Sequence, residues 1–225
     1  MMGGRSDAWT DLGLTLPVFL GYHLGVVFLP MRNAADFVTY RLAELANHSV
    51  VAYAALTLLA GAVLVGVSVV LGRGQTLHAK RLAAVIAEGA VYAVGMKMVA
   101  SCVVGSLRLS ACDGQIGLLA GLVMSLGAGF YEEVAFRVVF FGLGLKLLTR
   151  LVRNNGPGLV LTWAVATAFV FSAWHYVGPF ADPFRLGSFV FRWVCGLVFV
   201  AIYRWRGFAP AVWCHALYDI WVLAL

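Results

Sequence analysis

Apolar residues fill most of this chain in long runs, separated by short polar turns. The runs lie at about 12–30, 49–71, 82–106, 115–148, 158–177, 186–203 and 208–225. A hydrocarbon core of about 30 Å takes about 20 residues of helix to cross. In lipid, backbone groups must be paired within the segment, and the runs lack the ten-residue alternation of a membrane barrel, so each predicts a helix. The expected fold class is therefore all-α, a polytopic transmembrane bundle of seven or eight spans. The fourth run decides the count, because thirty-four residues at 1.5 Å each measure about 51 Å. A break at Gly127-Ala128-Gly129 is expected, with a fresh helix beginning near Phe130.

Two polar stretches modify this pattern. Asp7 and Asp11, with Arg5, precede the first run, and no small-residue cleavage site of the A-x-A type follows, so the first run is expected to be a retained helix. Between the first two runs lies MRNAADFVTYRLAELANH, where Phe37, Val38, Leu42 and Leu45 recur at helical spacing among charges. That pattern predicts a helix lying on the membrane surface.

Composition adds to the same picture. The chain is 62% hydrophobic and 12% charged, against about 25% charged in an ordinary soluble domain. The net charge of +6 does not imply nucleic acid, since the Lys and Arg residues fall mostly in turns, where positive charge sets orientation. Arg5, Arg73, Lys80, Arg81, Lys146, Arg150, Arg153, Arg204 and Arg206 fall on one side of a seven-span arrangement. Only Arg32, Arg41, Arg108 and Arg185 fall on the other, which puts the N-terminus in the cytoplasm. Richness in Ala, Gly, Val and Arg suits a bacterium with a GC-rich genome, and the expected location is a bacterial inner membrane. Cys102, Cys112, Cys195 and Cys214 form no C-x-x-C pair and are read as small apolar residues rather than a disulfide or metal site.

Ionisable groups inside apolar helices are the candidates for function, because each costs about 2.5–3.5 kcal/mol at the bilayer centre on insertion scales. They cluster in the last half of the chain. GFYEEVAFRVVFFGLGL carries Glu132, Glu133 and Arg137 at the expected start of a helix, FVFSAWHY carries Phe171 and His175, and VWCHALYDIW carries His215 and Asp219. In an α-helix Glu133 and Arg137 share a face, whereas Glu132 points about 140° from Arg137. Glu133 can then neutralise Arg137, while Glu132 must be protonated or meet a group from another helix. Glu88, Lys97 and Arg192, also within apolar runs, are read as packing or snorkelling residues.

A buried carboxylate and an imidazole can share and activate a water, and a second imidazole with a polar neighbour can donate to the oxyanion formed at a peptide carbonyl. These groups suffice for peptide hydrolysis. Glu132, His175 and His215 offer possible zinc ligands, but the H-E-x-x-H pattern of membrane zinc proteases is missing. Ser125 and Ser172 sit in no recognisable nucleophile motif. A different class also fits: a non-proteolytic membrane protein, such as a transporter subunit or an immunity or binding partner, whose buried polar core is structural.

The EE-x-x-x-R of Glu132, Glu133 and Arg137, the F-x-x-x-H of Phe171 and His175, and the pair His215 and Asp219 resemble, in order and separation, the motifs of the CPBP family. These are glutamic intramembrane proteases, also called the Abi or CAAX-protease family, which includes the type II CAAX prenyl endopeptidases. The resemblance covers about residues 115–225, expected to form a catalytic bundle, and residues 1–114 add compatible hydrophobic helices. It implies Glu132 as the base that activates water with His175, Glu133 and Arg137 as supports, and His215 with Asp219 as oxyanion stabilisers. The prenyl proteases typically carry Asn where this chain has Asp219, and Asp donates only when protonated. No cofactor is implied, and no obligatory metal. The implied partners are the bilayer and a membrane-tethered protein or peptide. Within the family, tasks include trimming prenylated CAAX tails, processing bacteriocins and cutting C-terminal sorting signals. The expected topology opens the pocket outward, because His175 ends one span and Glu132 begins another.

Overall fold

The computed structural model describes residues 7–29, 32–36, 38–71, 77–106, 117–153, 156–178 and 181–224. Arg5, Phe37, Arg73, Arg108 and Cys112 lie outside the described residues. Among the described residues the regular structure is helical throughout. Ten α-helices follow one another: α1 (Ala8–Leu14), α2 (Leu16–Val26), α3 (Val38–Leu45), α4 (Val50–Leu71), α5 (Ala79–Ser106), α6 (Leu118–Gly127), α7 (Gly144–Val152), α8 (Pro157–Trp174), α9 (Leu186–Trp205) and α10 (Phe208–Leu223). Two π-helical segments, Ala128–Glu132 and Val134–Leu143, join α6 to α7. Four helices, α4, α5, α8 and α9, are long and apolar enough to cross a membrane, and α2 and α10 are shorter apolar helices. Leu58, Leu59, Val63, Val69 and Val70 of α4 are exposed, an apolar face that suits lipid and not water.

The first run is broken where a single helix was expected. Thr15 ends α1, its hydroxyl donating to the Leu12 carbonyl at 2.8 Å, and Pro17, which has no N–H to donate, sits in the first turn of α2. The fourth run departs in the opposite sense. No break occurs at Gly127-Ala128-Gly129; Gly127 (φ −62°, ψ −48°) and Ala128 (φ −59°, ψ −51°) are helical, and the rod continues from Leu118 to Val152.

Close helix approach explains those glycines. A Cβ on Gly127 would enter the Tyr22 ring, and one on Gly129 would lie 2.7 Å from Ala216 Cβ and 2.9 Å from Ala216 N. Gly121 likewise faces Ala224 and Leu223, and Gly89 of α5 faces Trp213 and Cys214. Small residues let α5, α6 and α10 approach to backbone contact, as is usual where helices pack within lipid.

The N-terminal and C-terminal portions share one core. Val18, Tyr22 and Val26 of α2 and Val85 of α5 pack with Val123, Phe130, Tyr131, Val212 and Ala216. Asp11 of α1 is 2% exposed, and its Oδ2 accepts the Phe208 N–H at 2.6 Å, capping α10 from another helix. Gly207, just before it, has φ 109°, open to glycine at little strain. Helix α3 is present as expected but short, and it turns Thr39 inward while Tyr40 and Leu45 are exposed. Cys195 and Cys214 are buried free thiols, whereas Cys102 is exposed.

Candidate active site

Glu132 and Glu133 lie well inside the rod, not at the start of a helix as expected. Inferring an outward opening from Glu132 heading a span therefore loses its support. The backbone here pairs i→i+5, a winding that is rare and recurs at functional sites. It turns less per residue than an α-helix, so the two adjacent carboxylates are set out on the inward side together, Glu132 7% and Glu133 0% exposed.

Two helices and a loop converge on Glu132. Its Oε2 lies 3.8 Å from His175 Nε2 and 3.9 Å from His215 Nε2. Its Oε1 accepts a hydrogen bond from Asn33 Nδ2 at 2.8 Å. His175, at the end of α8, donates Nδ1–H to the Phe171 carbonyl at 2.9 Å, because a carbonyl can only accept. That bond fixes the tautomer and leaves Nε2, with its lone pair, facing the carboxylate.

Glu133 serves the second imidazole. His215 Nδ1 lies 2.7 Å from Glu133 Oε1, and His215 Nε2, on the other edge, lies 3.5 Å from Asp219 Oδ2. Glu133 Oε2 is 3.2 Å from Arg137 Nε, the ion pair expected from their spacing. The guanidinium is 1% exposed and lies between two rings, with Cζ 4.2 Å from the Phe171 centroid and 4.8 Å from the Phe199 centroid. Phe199 also stacks on His215, centroids 4.5 Å apart at 20°. Phe171 meets both imidazoles edge-on. The aromatic residues thus hold three polar groups by their faces and edges.

The open side of the cluster is the His175 and Asp219 side, where the side chains are 22% and 18% exposed, against 5% for His215. The loop after His175 is tied down: Asp182 N donates to the His175 carbonyl at 2.8 Å, and Arg192 holds both Asp182 Oδ2 (2.6 Å) and Tyr176 Oη (3.1 Å). Arg192 therefore frames the mouth, beyond the packing role expected of it. Glu88 instead pairs across helices with Arg206 and accepts from Tyr92 Oη at 2.7 Å, and Lys97 lies 4.0 Å over the Trp221 ring. Ser125 and Ser172 donate to the carbonyls of Gly121 and Phe189 at 2.6 and 2.7 Å. Among the described residues no group of three or more His, Cys, Asp or Glu is arranged to hold a metal ion.

The N-terminal portion contributes more than the compatible hydrophobic helices expected of it. Besides Asn33, a buried polar cluster lies beside the motif residues. His23 of α2 is fully buried and joins Tyr53 Oη (Nδ1, 2.7 Å) to Tyr131 Oη through Nε2. Tyr22 Oη donates to Asp36 Oδ2 at 2.7 Å. A histidine inside LTLPVFLGYHLGVVFL meets the same test that singled out Glu132, so His23 was visible in the sequence; Asn33, uncharged and in a loop, was not.

Four helices long and apolar enough to cross a membrane, packed with a buried cluster of Glu and His side chains, suit an integral membrane protein with a polar interior. A family described as type II CAAX prenyl endopeptidase Rce1-like matches residues 114–221. The resemblance carried by the three motifs is thereby shown over the stretch that holds them, and the family matched is a protease family. No curated protein and no solved structure matches the chain.

Proposed function

We propose that this protein is an intramembrane endopeptidase of the glutamate type, hydrolysing a peptide bond near the membrane in a tethered protein or peptide. The carrying observation is Glu132 Oε2, within 3.8 and 3.9 Å of two imidazole Nε2 atoms, too far for direct hydrogen bonds and suited to a water between them. Glu132 takes a proton from that water, and His175, its tautomer fixed by Phe171, shares it. The hydroxide attacks the peptide carbonyl while His215 and Asp219 face the oxyanion; the tetrahedral intermediate then collapses with cleavage of the C–N bond, and the proton held by Glu132 passes to the leaving amine. To donate from Nε2, His215 carries a second proton, whose charge Glu133 is placed to balance. Asp219 contributes only when protonated. No metal or other cofactor enters this scheme.

The substrate class we favour is a C-terminal tail carrying a sorting or CAAX-like signal, cut by a seven- or eight-span bundle in a bacterial inner membrane with its N-terminus in the cytoplasm. Supporting this are the family match and the excess of Lys and Arg on one side of the spans.

The test is cleavage of membrane-tethered candidate substrates by purified protein in detergent or liposomes. Parent, Glu132→Gln and His175→Ala are compared with and without a chelator. Glutamate catalysis requires that the parent cuts, in chelator as well as without it, and that both variants are inactive but folded. A Glu132→Gln protein cutting at the parental rate would mean that the polar cluster is structural.

A further inference from the structure

Glu132 has two carboxylate oxygens with different surroundings. Oε2 faces the histidines; Oε1 is held by Asn33 Nδ2 at 2.8 Å, across 99 residues of sequence. Asn33 is itself 8% exposed, and its own side-chain and backbone polar groups are engaged. Its Oδ1 accepts the Ala35 N–H at 2.8 Å, its own N–H donates to Tyr22 Oη at 3.2 Å, and its carbonyl accepts the Asp36 N–H at 3.0 Å.

The loop is fixed from its other end as well. Asp36 Oδ1 caps α3 by accepting Val38 N and Thr39 N, both at 2.9 Å, and Asp36 Oδ2 accepts from Tyr22 Oη at 2.7 Å. Tyr22 is fully buried and stands against Gly127, in the rod that carries Glu132. Helix α2 therefore sets the distance between this loop and the rod through one phenol.

We infer that Asn33 is a positioning residue for the catalytic base: its amide holds one oxygen of Glu132 so that the other is presented to the water and the two histidines. A carboxylate on an unbranched three-torsion side chain has several rotamers, and a single donor on the far oxygen selects one of them. The inference rests on the reading of Glu132 as the base.

The discriminating variant is Asn33→Asp. Asp is of nearly the same size and keeps the oxygen that accepts Ala35 N–H, so the turn survives, but the donor to Glu132 is replaced by a second carboxyl. Two facing carboxyls either repel or share a proton, and either removes a freely poised base. With a membrane-tethered reporter that the parent cuts, Asn33→Asp and Asn33→Ala are expected to lower kcat roughly tenfold to a hundredfold, the worth of a hydrogen bond to a charged group. KM should change little. A merely structural Asn33 would leave Asn33→Asp at the parental kcat, and that result overturns the inference even where Glu132→Gln is inactive. If Glu132→Gln itself cuts normally, the reading of the base fails instead. Thermal unfolding supplies a readout independent of cleavage: the loss of stability in Asn33→Asp should be largely absent when Glu132 is already Gln, whose amide can donate to the new carboxylate. Additive losses in that cycle would show that the two side chains do not interact, and would overturn the positioning role.

Discussion

Glu133 Oε1 lies 2.7 Å from His215 Nδ1 while its Oε2 lies 3.2 Å from Arg137 Nε, so a single buried carboxylate orients one imidazole and balances one guanidinium. Its neighbour in sequence is thereby left to the open side of the cluster. A Gln at 133 can still accept from His215, but it leaves Arg137, 1% exposed between Phe171 and Phe199, without its counter-charge. We expect Glu133→Gln to lose about 3–5 kcal/mol of stability, as when one partner of a buried ion pair is removed. Denaturant unfolding in micelles measures it, and a loss below about 1 kcal/mol would place the balancing charge elsewhere.

Gly129 has no room for a methyl group. Its missing Cβ would sit 2.7 Å from Ala216 Cβ and 2.9 Å from Ala216 N, and Ala216 is the residue after His215. Gly129→Ala should push α10 outward, at about 1–3 kcal/mol for overpacking, and carry His215 away from Glu132. Reduced cleavage with reduced thermal stability is the expected pair of results; normal values of both would show that α10 yields freely.

The membership of the polar cluster was legible in the sequence to the extent that it rests on charge. Glu132, Arg137, His175 and His215 stand out because ionisable groups are rare in apolar helices, and they do converge. The backbone around them was not legible. Gly127 and Gly129 read as a break because glycine lowers helix propensity, yet both are places where Tyr22 and Ala216 approach a continuous rod. The i→i+5 winding has no sequence signature in this run. Asn33 was invisible for a different reason: its partner is 99 residues away, and nothing local in a polar loop marks one amide as inward-facing. The first run misled in the other direction, since Pro17 was present to be read and its position just after Thr15 is where α1 ends.

Asp11 caps α10 across 197 residues, with its Oδ2 2.6 Å from Phe208 N. A carboxylate at a helix N-terminus satisfies an otherwise orphaned N–H and opposes the positive end of the dipole. Asp11→Ala is expected to cost about 1–2 kcal/mol, near the upper range for a cap because the site is buried, with Asn intermediate because it retains an acceptor. Hydrogen exchange resolved by peptide should show the loss first in the opening turn of α10. Uniform exchange changes across all helices would contradict a local cap.

His23 links two buried phenols, Tyr53 and Tyr131, and Tyr131 precedes Glu132 in the rod. Replacement by Leu fills similar space but leaves two hydroxyls to find other partners, at about 1–3 kcal/mol for each that does not. His23→Leu should therefore lower thermal stability while, in the protein that remains folded, cleavage falls far less than in Glu132→Gln. His23→Gln, which retains polar atoms on both sides, should recover part of the stability. If His23→Leu instead abolished cleavage without loss of stability, His23 would belong to the reacting groups, and the chemistry would extend from Glu132 into the N-terminal cluster.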